Sequence, residues 1–197
     1  MLYRKVYEDL AARNMAHVRA GTVGEQFHYK NPPPGVWHIP TALYTYPLAA
    51  KMLKGLGYEE FNQACDIGCG TVKFSDYFRI SNNCLFEIAW PYCLYMKAVQ
   101  ADIEAMPVPD NFADLVVCSD ILEHVQNYEQ AMSEVRRVMR TGGILLASVP
   151  NDAPINATHL RRFTTKSIFE GFDILDKQLT PEHKGWLQEL VIVMRKQ

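Results

Sequence analysis

The sequence predicts an α/β domain: a doubly wound, seven-stranded, mostly parallel sheet whose last strand is antiparallel, preceded by an N-terminal helical lid. Three observations predict it. From Phe61 onward, short apolar runs alternate with segments of helical period, the pattern of a parallel sheet with crossover helices. A Gly-x-Gly turn, Gly68-Cys69-Gly70, follows the first apolar run, and acidic residues close the next two. The chain then finishes in two strand-like runs, Ile174 to Thr180 and Leu187 to Met194, separated by a turn holding Pro181 and Gly185.

The elements follow in order. Residues 3–19 read as a helix, because Leu2, Val6, Leu10, Met15 and Val18 fall roughly on one face. Gly21 to Pro40 contains Gly24 and Pro32-Pro33-Pro34-Gly35 and reads as a loop or lid. Its Phe27, Tyr29, Trp37 and His38 need a surface to pack on, either the core or a ligand mouth. Thr41 to Leu56 reads as a second helix, with Gly55 or Gly57 as its C-cap. Tyr44 and Tyr46 lie on it, and core packing is the expected role for them and for Trp37. Residues 1–60 are therefore taken as a lid segment of the same domain, and 61–197 as its core.

Gln63 to Ile67 is the first strand. Lys73 to Phe78 is a short helix, and Asn82 and Asn83 mark a break before the second strand, Cys84 to Ile88. Val99 to Asp102 is the third strand and Asp114 to Ser119 the fourth, continuously apolar in its middle as a strand covered on both faces should be. Tyr128, Ala131, Met132, Val135, Val138 and Met139 recur at helical spacing, with Asn127 and Gln130 resembling a capping box. Thr141-Gly142-Gly143 is expected to stop that helix, since glycine tolerates the left-handed cap. Arg136, Arg137 and Arg140 read as one face of it. Ile144 to Val149 is the fifth strand, and residues 165–171 a short helix.

Composition narrows the function classes. Hydrophobic residues make up 48 % and charged residues 21 % of the 197, which suits a globular core and not a disordered chain. The formal charge of −2 provides no basic excess for a nucleic-acid partner. No run approaches the roughly 20 apolar residues that span a bilayer. The cysteines, Cys65, Cys69, Cys84, Cys93 and Cys118, are odd in number and lack zinc-site spacing, so neither a disulfide framework nor a metal is expected. Reduced thiols point to a cytoplasmic protein, and no signal peptide is expected at the N-terminus.

The chemistry lies at the strand ends. Gly-x-Gly between strand and helix lets the backbone approach a ligand, because glycine has no Cβ in the way. Open α/β sheets bind ligands at the carboxyl ends of their strands. Asp66 stands two residues before Gly68, Glu87 ends the second strand and Asp102 the third. A carboxylate at Glu87 can accept both hydroxyls of a ribose, and Asp102 can accept from an exocyclic amine. The plainer readings are a tight turn and surface carboxylates.

Four segments resemble class I S-adenosylmethionine-dependent methyltransferases, of the small-molecule, type 11-like branch. Cys65-Asp66-Ile67-Gly68-Cys69-Gly70-Thr71 resembles their first motif, and residues 101–114 their adenine-contacting segment and the strand entry after it. Ser119-Asp120-Ile121-Leu122-Glu123-His124-Val125 resembles their signature after the fourth strand, and residues 134–143 the helix and turn before the fifth. The resemblance covers residues 61–197. It implies a Rossmann-like fold, S-adenosylmethionine as cofactor and a small-molecule acceptor. It further implies that Gly68, Cys69 and Gly70 face the methionine part, supported by Asp66. Glu87 would bind the ribose, Ile88 pack on the adenine, Asp102 hold its amine with the Ile103 amide close by, and the Ser119 backbone meet the amino group. Two departures stand out. Val72 occupies the third glycine position, where positive φ would be an outlier, so the loop should bend differently there. Residues 88–98 leave room for only about two helical turns. Trp90 and Tyr92 in that stretch either cover the adenine or fill the space of the missing helix.

On the acceptor side, His124 is the candidate catalytic base, since histidine titrates near neutral pH. It can equally cap or pack the following helix. His159 and Arg161 are the candidate substrate residues, Arg161 suiting a carboxylate or phosphate. Both can instead hold the long loop after the fifth strand. Two other functions compete with methyl transfer: a non-catalytic homologue that still binds the cofactor, and a nicotinamide-dependent oxidoreductase. The second would want a third glycine at position 73, where Lys73 stands.

Overall fold

The computed structural model describes Ala12 and residues 39–156, 158–167, 169–182 and 187–197. Apart from Ala12, the helix expected over residues 3–19 lies outside the described residues, as do the Gly21 to His38 lid with Phe27, Tyr29 and Trp37, and the turn at Gly185.

Helix α1, Ile39–Gly55, leads into strand β1, Phe61–Ile67. Then come β2 (Ile80–Glu87), α2 (Trp90–Met96), β3 (Val99–Gln100), β4 (Ala113–Ser119), α3 (Tyr128–Val138), β5 (Met139–Pro150), β6 (Phe172–Leu179) and β7 (Glu189–Lys196). The strands form one seven-stranded sheet in the order β3-β2-β1-β4-β5-β7-β6. The pairings among β1 to β5 are parallel, and β7 is antiparallel to both its neighbours.

Successive residues of a strand face opposite sides, and β4 uses this to unite two cores. Leu115 and Val117 pack on one side with Ala49, Met52 and Leu53 of α1. Val116 and Cys118 pack on the other with Ala131, Met132, Val135 and Val138 of α3. All four β4 side chains are fully buried, each apolar one contributing about 1.5–3 kcal/mol of transfer free energy. Asn127 caps α3 by accepting from Gln130 N at 3.2 Å. The Gln130 amide does not close the box; it donates to the Glu104 carbonyl, while Glu104 Oε1 takes Asn127 N.

Several expectations change. The segment after the glycine loop is a three-residue 3-10 turn, Phe74–Asp76, and not a full helix. Asn82 and Asn83 lie inside β2, pairing in register with Gln63 and Ala64. Asp102 is past β3, in an isolated bridge with Ala105. Gly142 has φ +75 but caps no helix: α3 ends at Val138, whose successor Met139 is already extended. Thr141-Gly142-Gly143 belongs to β5, where the register against β4 shifts between Ala113 and Leu115. Arg140 therefore sits beyond the helix. Arg137 turns inward, donating to the Val108 and Met106 carbonyls, Asp110 and Glu134, so no basic stripe forms. The described residues of 165–171 form turns and not a helix.

Candidate functional site

Two hollows open where the parallel strands end. One, about 690 Å³ including its mouth, is lined by Gly68, Cys69, Gly70, Thr71, Glu87, Ser119 and His124 among others. The other, about 650 Å³, is lined by Ala101, Asp102, Ile103, Glu104, Val125 and Gln126 among others. Gly68, Ile88 and Ile121 line both, so the two are lobes of one cleft that meet over the glycine loop.

The loop has the shape its glycines permit. Gly68 and Gly70 have φ +68 and +52. The Gly68 and Cys69 amides both donate to the Phe86 carbonyl, which folds the loop over the end of β2. A Cβ on Gly68 would lie 2.4 Å from Ile121 Cδ1, whereas one on Gly70 would meet no atom within 4 Å. Val72 is not among the residues of positive φ; its amide bonds the Cys69 carbonyl, and its side chain lines the first lobe. The loop thus bends before position 72.

Glu87 is buried, and its carboxylate accepts the amides of Gly70 (3.0 Å), Ile88 (2.8 Å) and Ala89 (3.0 Å). Burial pushes its pKa up, against these amides. It therefore stitches the glycine loop to the start of α2 while still lining the first lobe. Asp102 is exposed at the rim of the second lobe, with Oδ1 accepting from Glu104 N. Ile88 and Ile103 give that lobe apolar walls. Ser119 lines the first lobe, its hydroxyl 2.7 Å from that of Ser148.

Asp66 lines neither lobe: it is buried and accepts from Phe74 N at 2.9 Å, fixing the far end of the loop from beneath, so its support reaches the cleft through the loop. Burial raises its pKa to about 7, the Phe74 amide opposing. Trp90 is half exposed, so it does not fill the space of a missing helix, while Tyr92 is buried and lines the first lobe. Tyr46 is packed edge-on against Phe74 and Tyr77, as expected of a core residue, yet it also walls the first lobe. Thr71, which belongs to the loop read from the sequence, lines the first lobe too; sequence reasoning assigned no site role to Asp120 and Ile121, for which adjacency to Ser119 at a strand end was the available signal.

On the acceptor side, His124 is buried beside the first lobe. Its Nδ1 lies 2.8 Å from the Thr158 carbonyl, and its Nε2 3.6 Å from Glu123 Oε1. His159 lies beside it, the rings tilted by 56° with their centroids 5.0 Å apart, but lines neither lobe. Arg161 is not in the cleft either. Its guanidinium donates to the carbonyls of Val125 and Gln126 and lies over the Tyr128 ring, 5.0 Å from its centroid. Of the two roles open to Arg161, the structure shows the loop-holding one, a clamp between two loops made through two backbone carbonyls and a ring.

The sequence reading expected no metal. Among the described residues, however, Glu123, His124 and His159 bring together potential ligand atoms within 4.8 Å of one another. Glu123 and Glu189 are buried near Asp120, and burial together with this mutual repulsion drives both glutamate pKa values up.

Comparison with known proteins adds three findings. A family model described as a methyltransferase domain matches residues 65–147. A probable S-adenosylmethionine-dependent methyltransferase of Mycolicibacterium smegmatis is 33 % identical over 45 % of this chain and 39 % of its own. A malonyl-[acyl-carrier protein] O-methyltransferase of Hamiltonella defensa is 27 % identical over 54 % of this chain and 48 % of its own. The chain spans about half or less of the length of the curated relatives it matches. In fold, it is similar to the 1,6-didemethyltoxoflavin-N1-methyltransferase of Burkholderia thailandensis, solved with S-adenosylhomocysteine. The TM-score is 0.68 at 16 % identity, over 98 % of this chain and 89 % of that one.

Proposed function

We propose that this chain is a class I S-adenosylmethionine-dependent methyltransferase, a reading that the methyltransferase-domain match over residues 65–147 and the name of its Mycolicibacterium relative support, and that it transfers a methyl group from S-adenosylmethionine to a small-molecule acceptor. The observation that carries the reading is the two-lobed cleft over Gly68, with Glu87 and Asp102 at neighbouring strand ends.

The residues present fit that cofactor. The apolar slot between Ile88 and Ile103, with Asp102 at its rim, suits an adenine and its amine. Glu87 lines the first lobe next to Ile88, which walls both, so a ribose joining the two halves would come within its reach, and its Oε2 accepts one amide, that of Gly70. Gly68, Cys69, Gly70 and the Ser119 backbone would cradle the methionine end, since the open side of Gly70 leaves room for close approach. When bound, the cofactor supplies a methyl group on a sulfonium, a leaving group already activated by its charge. The protein's part is then chiefly to position the acceptor and exclude water. His124, walling the same lobe, would take a proton from an acceptor that must lose one. The name of the Burkholderia thailandensis neighbour, whose acceptor is 1,6-didemethyltoxoflavin, supports a small acceptor. The absence of disulfides among Cys65, Cys69, Cys84, Cys93 and Cys118 supports a cytoplasmic location. No described helix is long and apolar enough to cross a membrane.

Isothermal titration of the chain with S-adenosylhomocysteine and, separately, with NAD tests the reading. We expect the former to bind and Asp102→Ala to weaken it about tenfold, the worth of one charge-assisted hydrogen bond. Tight NAD binding without S-adenosylhomocysteine binding would overturn it in favour of an oxidoreductase.

A further inference from the structure

Behind the wall of the first lobe, reaching it only at His124, lies a cluster that cofactor binding does not use. Glu123 is 2 % exposed, and neither of its carboxylate oxygens has a hydrogen-bond partner. The Nδ1 of His159 is likewise buried without a partner. His124 completes the set. A carbonyl can only accept, so the 2.8 Å contact with Thr158 O places a proton on Nδ1, while Nε2 is turned toward Glu123 Oε1 at 3.6 Å. Metal-binding histidines are oriented in this way, one ring nitrogen tied to a backbone carbonyl and the other aimed at the ion.

The backbone builds the arrangement deliberately. Asn156 Oδ1 accepts from the amides of Thr158 and His159, which sets a tight turn. The Leu160 amide then donates to the Glu123 carbonyl at 2.7 Å, and Arg161 grips the Val125 and Gln126 carbonyls. Three successive contacts thus hold the loop after β5 on the loop after β4, with His159 over Glu123. A buried carboxylate with no hydrogen bond, its nearest charge partner the His124 ring at 3.6 Å, costs several kcal/mol unless a proton or a cation neutralises it. Two imidazoles and a carboxylate are the donor set of first-row transition ions, not of magnesium or calcium.

We propose that Glu123, His124 and His159 form a binding site for a first-row divalent transition-metal ion. Around an ion with ligand bonds of about 2.1 Å, tetrahedral ligands stand roughly 3.4 Å apart. The Glu123 to His124 pair is already at 3.6 Å, and the widest pair, within 4.8 Å, would have to close by at most about 1.4 Å around the ion. Three protein ligands leave at least one position open. Because His124 lines the first lobe, that position suits an oxygen of the acceptor, a consequence that alone rests on the methyl-transfer reading; with an ion bound, His124 would no longer serve as the base, and the ion would instead favour loss of the proton by polarising that oxygen.

The test uses the whole chain, stripped with a chelator and titrated with Zn²⁺ and with Co²⁺. We expect about one equivalent to bind, with Co²⁺ acquiring the visible absorption of a nitrogen- and oxygen-ligated ion and a large excess of Mg²⁺ failing to displace it. Glu123→Gln and His159→Gln should each weaken binding at least tenfold. Circular dichroism checks their folding, and if Glu123→Gln fails to fold, His159→Gln decides. Binding of neither ion by the unaltered chain overturns the site, as does unchanged affinity in a folded variant. S-adenosylhomocysteine titrated into the same samples reports separately on the cofactor cleft, so failure of one reading is not mistaken for failure of the other.

Discussion

At Asp66 the fold keeps a carboxyl away from water. Burial outweighs the Phe74 amide and raises its pKa to about 7, while in the unfolded chain it ionises near 4. Between those values the folded chain holds one more proton than the unfolded one. Stability therefore falls as pH rises from about 4 to 7 and levels off above, by on the order of 4 kcal/mol. Asp66→Asn, which can still accept from Phe74 N, should flatten that slope in urea unfolding measured across the range. An unchanged slope would place the titration elsewhere. The same residue shows what the sequence could not reveal. Its position before Gly68 marked it as part of the site, but strand side chains alternate, and only the packed structure shows that it faces Phe74 and not the cleft. Glu123 was equally silent. It lay in a quoted motif, yet its neighbours His159 and Glu189 come from distant segments that only tertiary structure brings near. Glu87, Asp102 and the glycines were legible because a strand end followed by a polar residue is a local signal.

Among the elements, those with a strong period were read well and those ruled by single residues less so. The α3 stripe and the continuous apolar run of β4 stand where their patterns indicated, since burial on one or both faces dictates them. The failures share a cause: a short polar or glycine-containing segment takes its form from its partner strand. Asn82 and Asn83 extend β2 because β1 offers them partners, and Gly142 serves an irregular stretch of β5 opposite β4. The Arg161 clamp is the element-scale feature most open to test. Its planar fork serves two carbonyls and stacks on Tyr128 at once, which an ammonium cannot do. Arg161→Lys should lower unfolding stability by about 1–2 kcal/mol and leave the fold intact. An unchanged urea midpoint would show that the loops hold together without it.

For the whole molecule, the order of strands decides where the cleft lies. β1 sits between β2 and β4, so the loops after all three converge, and Ile121 behind β4 closes against Gly68 behind β1. That closeness has a consequence for time as well as shape. Ala64 of β1 pairs with Leu115 of β4, after the whole β2-to-β3 excursion has intervened. Such a non-local pairing is a slow event in folding, and the cleft cannot exist before it. A ligand that spans both loops should consequently leave the refolding rate untouched and act as a brake on unfolding. With S-adenosylhomocysteine at a hundredfold excess over its Kd, the stabilisation of about 2.7 kcal/mol should appear as roughly hundredfold slower unfolding in stopped-flow denaturant jumps. Faster refolding by the same factor would mean instead that the cleft is already formed at the barrier.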